Sequence, residues 1–99
     1  MPDITLTKTT HRPSTDVEWY KTPNNVLDYI NTTYRFGTGQ LRKTEFTLSD
    51  DGLTLTMAST WASIEAHEAF MADPVVAANF TAMEAYNIQN NIAAMFGTQ

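Results

Sequence analysis

Apolar and polar residues alternate over residues 53–61, and the spacing changes to a helical one three residues later. Leu53, Leu55, Met57 and Trp61 fall on one face of an extended strand, because successive side chains of a strand point to opposite faces. The intervening positions hold threonine and alanine. This region predicts a half-buried strand that leads directly into a helix.

The same alternation predicts two strands upstream. Residues 4–10 place Ile4 and Leu6 on one face and threonines on the other. Residues 40–49 precede an Asp-Asp-Gly sequence at 50–52, in which aspartate supplies local hydrogen bonds and glycine tolerates a positive φ. We therefore expect residues 40–49 to form a hairpin with the strand that follows the turn.

Capping residues indicate where the helices begin. Thr22, followed by a proline, predicts a helix over 23–34 that ends near Gly37 as a left-handed C-cap. Ser63 is a predicted N-cap, and Asp73 before a proline begins another helical segment. The inward stripes of these two segments are predicted to hold Ile64, His67, Phe70 and Met71 in the first, and Val76, Phe80, Met83 and Tyr86 or Asn87 in the second.

The order of these elements predicts the fold class. Residues 92–96 are short and apolar, and their pattern fits either a last strand or an extension of the preceding helix. With the strand, the chain is an α+β protein of ferredoxin-like arrangement, an antiparallel four-stranded sheet with helices on one face. The opposite, threonine-rich face then meets either water or another sheet.

Length and composition add a partner and a location to this picture. The 99 residues indicate one domain over 1–99, and a chain of this size buries only about two thirds of its unfolded surface, which favours a homodimer. Cysteine is absent, so thiol and disulfide chemistry are excluded. No secretion signal and no apolar run of membrane-spanning length occur, and we expect a cytoplasmic protein that does not contact a membrane.

The charge distribution argues against nucleic-acid binding. The formal net charge is −5 and the sequence pI is about 4.7, whereas nucleic-acid-binding domains present basic stripes. Every lysine and arginine lies before Thr44. We therefore expect no nucleic-acid partner.

The residues around the third predicted strand resemble a known family. Trp61 ending the strand, Ser63 opening a helix, the sequence Glu-Ala-His-Glu-Ala-Phe at 65–70 and the Asp-Pro pair at 73–74 are similar to the strand-to-helix signature of the dimeric α/β-barrel superfamily. That superfamily includes the antibiotic biosynthesis monooxygenase-like proteins. The resemblance implies a dimer with facing sheets and a pocket between each sheet and its helices.

The same resemblance implies several activities, and this sequence matches each only in part. Relatives oxidise aromatic polyketides without a cofactor, degrade haem or isomerise lactones. Quinone-oxidising relatives use an asparagine on the first strand, a tryptophan late in the third strand and an arginine in the helix that follows. In this sequence Trp61 matches the tryptophan, but residues 4–10 hold no asparagine and no arginine follows Arg42. Haem-degrading relatives use an axial histidine, for which His67 is the candidate.

The residue types suggest one candidate site. His67 is the candidate catalytic base, because an unperturbed histidine has a pKa near ~6.5, and Trp61 offers a stacking surface and an indole N–H. The further candidate ligand-binding residues are aromatic: Trp19, Tyr29, Tyr34 and Phe70. Each of these residues is also explained by a role in the core.

Metal and cofactor sites are not predicted. His11 and His67 with nearby carboxylates contain the ligand types of a two-histidine site, but no histidine pair has helical i, i+4 spacing. Two function classes stay open. The first is a dimeric barrel that binds a small apolar or aromatic molecule between sheet and helices; its alternative is cofactor-independent monooxygenase activity on an aromatic or quinone-type substrate. The second is a non-catalytic structural or stress-response dimer.

Overall fold

The computed structural model describes residues 3–98, so the predicted domain 1–99 includes three residues outside the described range. The described chain contains four strands and three helices: β1 (Ile4–His11), α1 (Asn24–Ile30), which continues as a π-helix (Asn31–Gly37), β2 (Leu41–Leu48), β3 (Thr54–Trp61), α2 (Ile64–Ala72), α3 (Pro74–Gln89) and β4 (Ala93–Thr98). In this range no helix is both long enough and apolar enough to cross a membrane.

The strands form one antiparallel sheet in the order β2-β3-β1-β4. The predicted α+β, ferredoxin-like fold is confirmed, and the open question about residues 92–96 is decided for the strand, which begins at Ala93, after Ile92, and runs to Thr98. The predicted hairpin also forms: β2 and β3 pair from Leu48 opposite Leu55 to Leu41 opposite Trp61. Gly52 in the turn has a φ of 75°, as its place after two aspartates predicts.

The helices cover the sheet face on which Ile4 pairs with Trp61. The other face, called here the threonine face, holds the alternate residues of β1 and β3, most of which are threonines. Thr5 and Thr60 lie opposite each other on it, with their hydroxyl oxygens 3.0 Å apart. The alternation of β1 and β3 therefore separates the two faces as the sequence predicts.

The two ends of the helix-covered face differ in packing. At the end that we call the closed end, Trp61 and Leu41 are 2% and 7% exposed and pack with Val76 of α3. At the opposite, open end, Phe46 and Leu48 of β2 are 63% and 52% exposed. The main core cluster thus lies at the closed end, while toward the open end Thr10 of β1 and Ile92, just before β4, are also buried.

The first helix departs from its prediction in both its start and its geometry. It begins after Pro23, and Thr22 does not cap it. From residue 31 its hydrogen bonds lengthen to the i→i+5 spacing of a π-helix, and the Thr38 N–H donates to the Thr33 carbonyl. Gly37 is not a left-handed cap, because the positive φ of this loop belongs to Gly39.

Gly37 instead permits the close approach that the π-helix requires. A Cβ built at this position would lie only 2.3 Å from the carbonyl oxygen of Thr32, five residues earlier. Any larger residue would push the two turns apart. The glycine read from the sequence as an end signal is therefore a condition for the wide turn.

The caps of the two later helices are confirmed. Ser63 Oγ accepts a hydrogen bond from the N–H of Ala66, and Asp73 Oδ1 accepts one from the N–H of Val75. The predicted stripe of α2 is wrong at its ends, since Ile64 and Met71 are 44% and 38% exposed. Because α2 ends after nine residues, only its central turn faces the core.

Candidate functional site

Four aromatic rings meet at the closed end of the sheet. We call this group the aromatic cluster: Tyr34, Trp61, His67 and Phe70. The ring centroid of Trp61 lies 4.7 Å from that of Phe70, 5.4 Å from that of His67 and 6.3 Å from that of Tyr34. These separations are those of favourable edge-to-face and tilted aromatic pairs. The strand end, the π-helix and α2 therefore converge on Trp61.

Trp61 carries an unsatisfied hydrogen-bond donor inside this cluster. Its Nε1 is buried and has no acceptor, and it is the only buried side-chain nitrogen or oxygen in that state among the residues that the structure describes. A buried donor without a partner costs about 1–3 kcal/mol, and buried tryptophan N–H groups usually find an acceptor. The cluster thus contains a donor that an added oxygen would satisfy.

A carboxylate joins the cluster from the junction of α2 and α3. The hydroxyls of Tyr29 and Tyr34 both donate to Oδ2 of Asp73, each at 2.5 Å. These hydrogen bonds, that of Tyr29 first, lower the pKa of Asp73, so the carboxylate is charged at neutral pH. Burial and the neighbouring Asp73 raise the pKa of Tyr34, which stays protonated.

The π-helix brings the two tyrosines to the same carboxylate. In a regular α-helix, residues five apart point in clearly different directions, whereas i→i+5 hydrogen bonds bring them close to one face. Tyr29 lies just before the wide turn and Tyr34 within it. Sequence reasoning assigned Asp73 a capping role alone, and no helical periodicity signals its second role.

His67 lies at the edge of the cluster on α2. It is half-buried, and burial lowers its pKa, with a smaller opposing effect from the charge of Glu68. At neutral pH the imidazole is therefore uncharged and able to accept a proton. Its ring meets that of Trp61 at an interplanar angle of 72°.

Trp19 does not belong to this group. The guanidinium of Arg12 lies over its ring, 4.6 Å from the centroid, and donates hydrogen bonds to the carbonyls of Gly52 and Val17. Arg12 follows the end of β1 that is opposite to Ile4 and Trp61. The structure thus gathers five of the six predicted site residues, with Tyr29 held through Asp73, and places Trp19 at the other end of the sheet.

The two histidines considered for a metal site also lie apart. His11 is on the threonine face, where its Nδ1 lies 3.1 Å from the hydroxyl of Thr54, while His67 is on α2. Among the described residues no three histidine, aspartate or glutamate side chains are grouped to hold a metal ion.

An apolar groove of about 510 Å³ runs between α1 and α3. It is lined by Tyr20, Pro23, Val26, Pro74, Val75, Ala78, Asn79 and Ala82. Two of these lining residues are joined by a hydrogen bond, in which the hydroxyl of Tyr20 donates to Oδ1 of Asn79 at 2.8 Å. The groove has the size of a small-molecule site but is open to solvent.

Comparison with solved structures supports the fold. The chain is similar to Rv0793 from Mycobacterium tuberculosis, with a TM-score of 0.50 and 16% sequence identity over 97% of this chain and 94% of that chain. At this identity the similarity shows the fold alone. No protein-family model and no curated protein matches the sequence. Membership of the dimeric α/β-barrel superfamily therefore stays a prediction.

Proposed function

We propose that this protein binds a small planar molecule with a carbonyl or hydroxyl oxygen between its sheet and its helices, against Trp61. The observation that carries the proposal is the buried indole N–H without an acceptor. A ligand oxygen would satisfy that donor, and the surrounding rings offer stacking surfaces for a flat molecule. The ligand class is an aromatic ketone, quinone or phenol.

The ligand reaches Trp61 by displacement of α1 and the π-helix. The rings fill the space around Trp61 in this conformation, so binding requires one element to move. None of the seven residues of α1 is buried, which makes this helix the weakest part of the covering layer. The hydroxyls of Tyr29 and Tyr34 fasten it to Asp73, and their release would open the cluster.

Tryptophan fluorescence tests this proposal, because the chain has two tryptophans at opposite ends of the sheet. A panel of quinones and hydroxylated anthracenes is expected to quench the emission of the native protein and of Trp19→Phe. The quenching is expected to disappear in Trp61→Phe with the fold intact by circular dichroism. Quenching that persists in Trp61→Phe and is lost in Trp19→Phe would place the ligand elsewhere.

Catalysis by His67 is a second candidate. The observation that favours it is an uncharged imidazole whose ring centroid lies 5.4 Å from that of Trp61. In this proposal His67 removes a proton from a hydroxylated anthracene, and the resulting anion adds dioxygen at a ring carbon to give a peroxide. Cleavage of the O–O bond then releases water and leaves a carbonyl at that carbon, without a cofactor. Oxygen consumption that is lost in His67→Ala, while ligand quenching is retained, would support catalysis; binding without turnover would favour a carrier or sensor.

We also propose that the protein is a homodimer through the threonine face and the outer side of β4. The accessible surface is 6408 Å², compared with about 5,700 Å² expected for a folded monomer of this mass. Met95, on the threonine side of β4, is 69% exposed. Light scattering is expected to return twice the mass of 11.1 kDa at micromolar concentration, and a monomer would exclude this architecture.

If the ligand panel perturbs neither tryptophan and the protein is dimeric, the non-catalytic structural reading is favoured. The aromatic cluster would then be a core with one unsatisfied donor. This outcome separates the binding proposal from the dimer proposal, since each has its own measurement.

A further inference from the structure

Lys8 projects from β1 onto the face of the sheet that the helices cover. It pairs with Met57 of β3 on one side and with Phe96 of β4 on the other. Its Nζ donates a hydrogen bond to Sδ of Met83 at 3.1 Å, and Met83 is buried on α3. Lys8 thus lies between Met57 and Phe96 in the sheet, and its amine contacts the thioether of Met83.

This environment solvates an ammonium group poorly. An ammonium group has three donors, and a thioether sulfur is a weak acceptor. Neither of the two ion pairs found among the described residues involves Lys8. The three elements packed against it contribute uncharged side chains, and Glu84, which follows Met83 on α3, is exposed. Burial lowers the pKa of Lys8, and no charged group contributes to that shift.

We propose that Lys8 is a carbonyl-reactive amine that forms an imine with small apolar aldehydes. The lone pair of the neutral amine attacks the aldehyde carbon, and the electron pair of the C=O bond moves to oxygen, which takes up a proton. The resulting carbinolamine then loses its hydroxyl group and one amine proton as water while the C=N bond forms. The second amine proton is released to solvent. Overall, amine and aldehyde give imine and water. Desolvated lysines in apolar surroundings are activated for this chemistry.

The site is separate from the aromatic cluster and stands without the proposed function. Lys8 is four residues along β1 from Ile4, the partner of Trp61, and strand geometry makes this about 13 Å. Lys8 is half-buried, and Phe96, which pairs with it on the helix-covered face, is 69% exposed, so an aldehyde has access over Phe96 on that face, away from the surface proposed for the dimer. Methionine and phenylalanine neighbours favour an aliphatic or aromatic aldehyde over a sugar.

The chain contains its own controls, since Lys21 and Lys43 are its other lysines and both are exposed. The purified protein is treated at pH 7 with hexanal and cyanoborohydride, which reduces the imine to a stable secondary amine. Peptide mass spectrometry then gives the labelling rate at each lysine. Lys8 is expected to react at least about threefold faster than Lys21 and Lys43. Labelling of Lys8 at the rate of these two, or slower, overturns the proposal.

Two kinds of variant separate amine activation from simple access. Lys8→Arg keeps the positive charge and is expected to abolish the fast label. Phe96→Glu, at an exposed position, brings a carboxylate beside Lys8 and is expected to slow its labelling at pH 7 by at least about threefold, because an opposite charge favours the ammonium form. The matched neutral variant Phe96→Gln is expected to keep the native rate. Equal rates in these two variants, both folded by circular dichroism, would contradict the proposal.

Discussion

At both ends of the β2–β3 hairpin apolar residues lie on the helix-covered sheet face, but the two ends differ in burial. At the closed end Trp61 and Leu41 are 2% and 7% exposed, while at the open end Phe46 and Leu48 are 63% and 52% exposed. The difference arises above the sheet, because the π-helix and α2 bring Tyr34 and Phe70 onto Trp61. Alternation specifies the face of Phe46 and Leu48, and a bulge between Leu41 and Lys43 brings Leu41 to the same face. Helix placement then decides which of these residues is buried.

The largest contrast is expected between Trp61→Ala and Phe46→Ala. The first empties a packed site and should lower the free energy of unfolding by about 3–5 kcal/mol. The second removes a largely exposed ring and should cost less than about 1 kcal/mol. Urea denaturation of both variants measures the difference. Equal losses would mean that another surface covers the open end in solution. The dimer would then have to form through that end rather than through the threonine face.

A smaller contrast is expected between the two glycines of the π-helix and its loop. Gly37→Ala forces a Cβ against the carbonyl of Thr32 and should cost about 2–3 kcal/mol. Gly39→Ala meets only the side chain of Arg42 at 3.7 Å, but its φ of 68° should cost about 1 kcal/mol. Thermal unfolding by circular dichroism ranks the two variants. The reverse order would contradict the close contact inside the π-helix.

The third contrast compares the two faces of β3. Leu55→Ala removes a half-buried side chain from the helix-covered face and should cost about 1–2 kcal/mol, below the usual range for a fully buried leucine. Thr56→Ala on the threonine face should cost less than half as much. The denaturant midpoints are compared at low protein concentration, where a dimer contributes least. Equal shifts would contradict the register of β3.

The smallest effect is expected at acidic pH and concerns Asp73. Because its folded pKa lies below the ordinary value of 3.8, it contributes stability that is present above that pH and lost as the pH falls through the folded pKa. Asp73→Asn keeps a capping side chain but removes the charge. We expect it to be less stable than the native protein at pH 7, and the difference to vanish at the acidic end of a pH series.

The paired controls for this last contrast are Tyr29→Phe and Tyr34→Phe. Each removes one hydroxyl from Asp73 and should raise its folded pKa, so the acidic loss of stability is smaller and is complete at a higher pH. If the free energy of unfolding of both variants falls with acidic pH in the same way as that of the native protein, neither hydrogen bond depends on the charge of the carboxylate.

The sequence allowed the prediction of features that follow from local chemistry. The faces of β1 and β3, the turn at Gly52 and the caps Ser63 and Asp73 depend on residues close together in the chain, and all are confirmed. The carboxylate shared by Tyr29 and Tyr34 was not predicted. It depends on a π-helix, whose sequence resembles that of an ordinary helix, and on a contact between residues 39 positions apart.

Lys8 shows a second reason why prediction from the pattern is incomplete. Its position in the alternation of β1 places it on the same face as Ile4 and Leu6, but a lysine at a strand position is ordinarily assumed to reach solvent. Only the position of Met83 on α3 shows that its amine ends at a sulfur atom.

The π-helix has a consequence for insertions and deletions in this protein and its relatives. A wide turn arises when a helix accommodates one additional residue without unwinding. Deletion of one residue at 31–33 would allow a regular helix and place Tyr29 and Tyr34 four residues apart, again on one face. Deletion at 35 or 36 would instead leave them five residues apart in a regular helix, about 140° apart around its axis, and would part the two hydroxyls. In an alignment, a one-residue gap after Tyr34 is expected to coincide with the loss of one of these tyrosines or of Asp73, whereas a gap between the tyrosines is not, so the position of the gap would report whether the shared carboxylate has been kept.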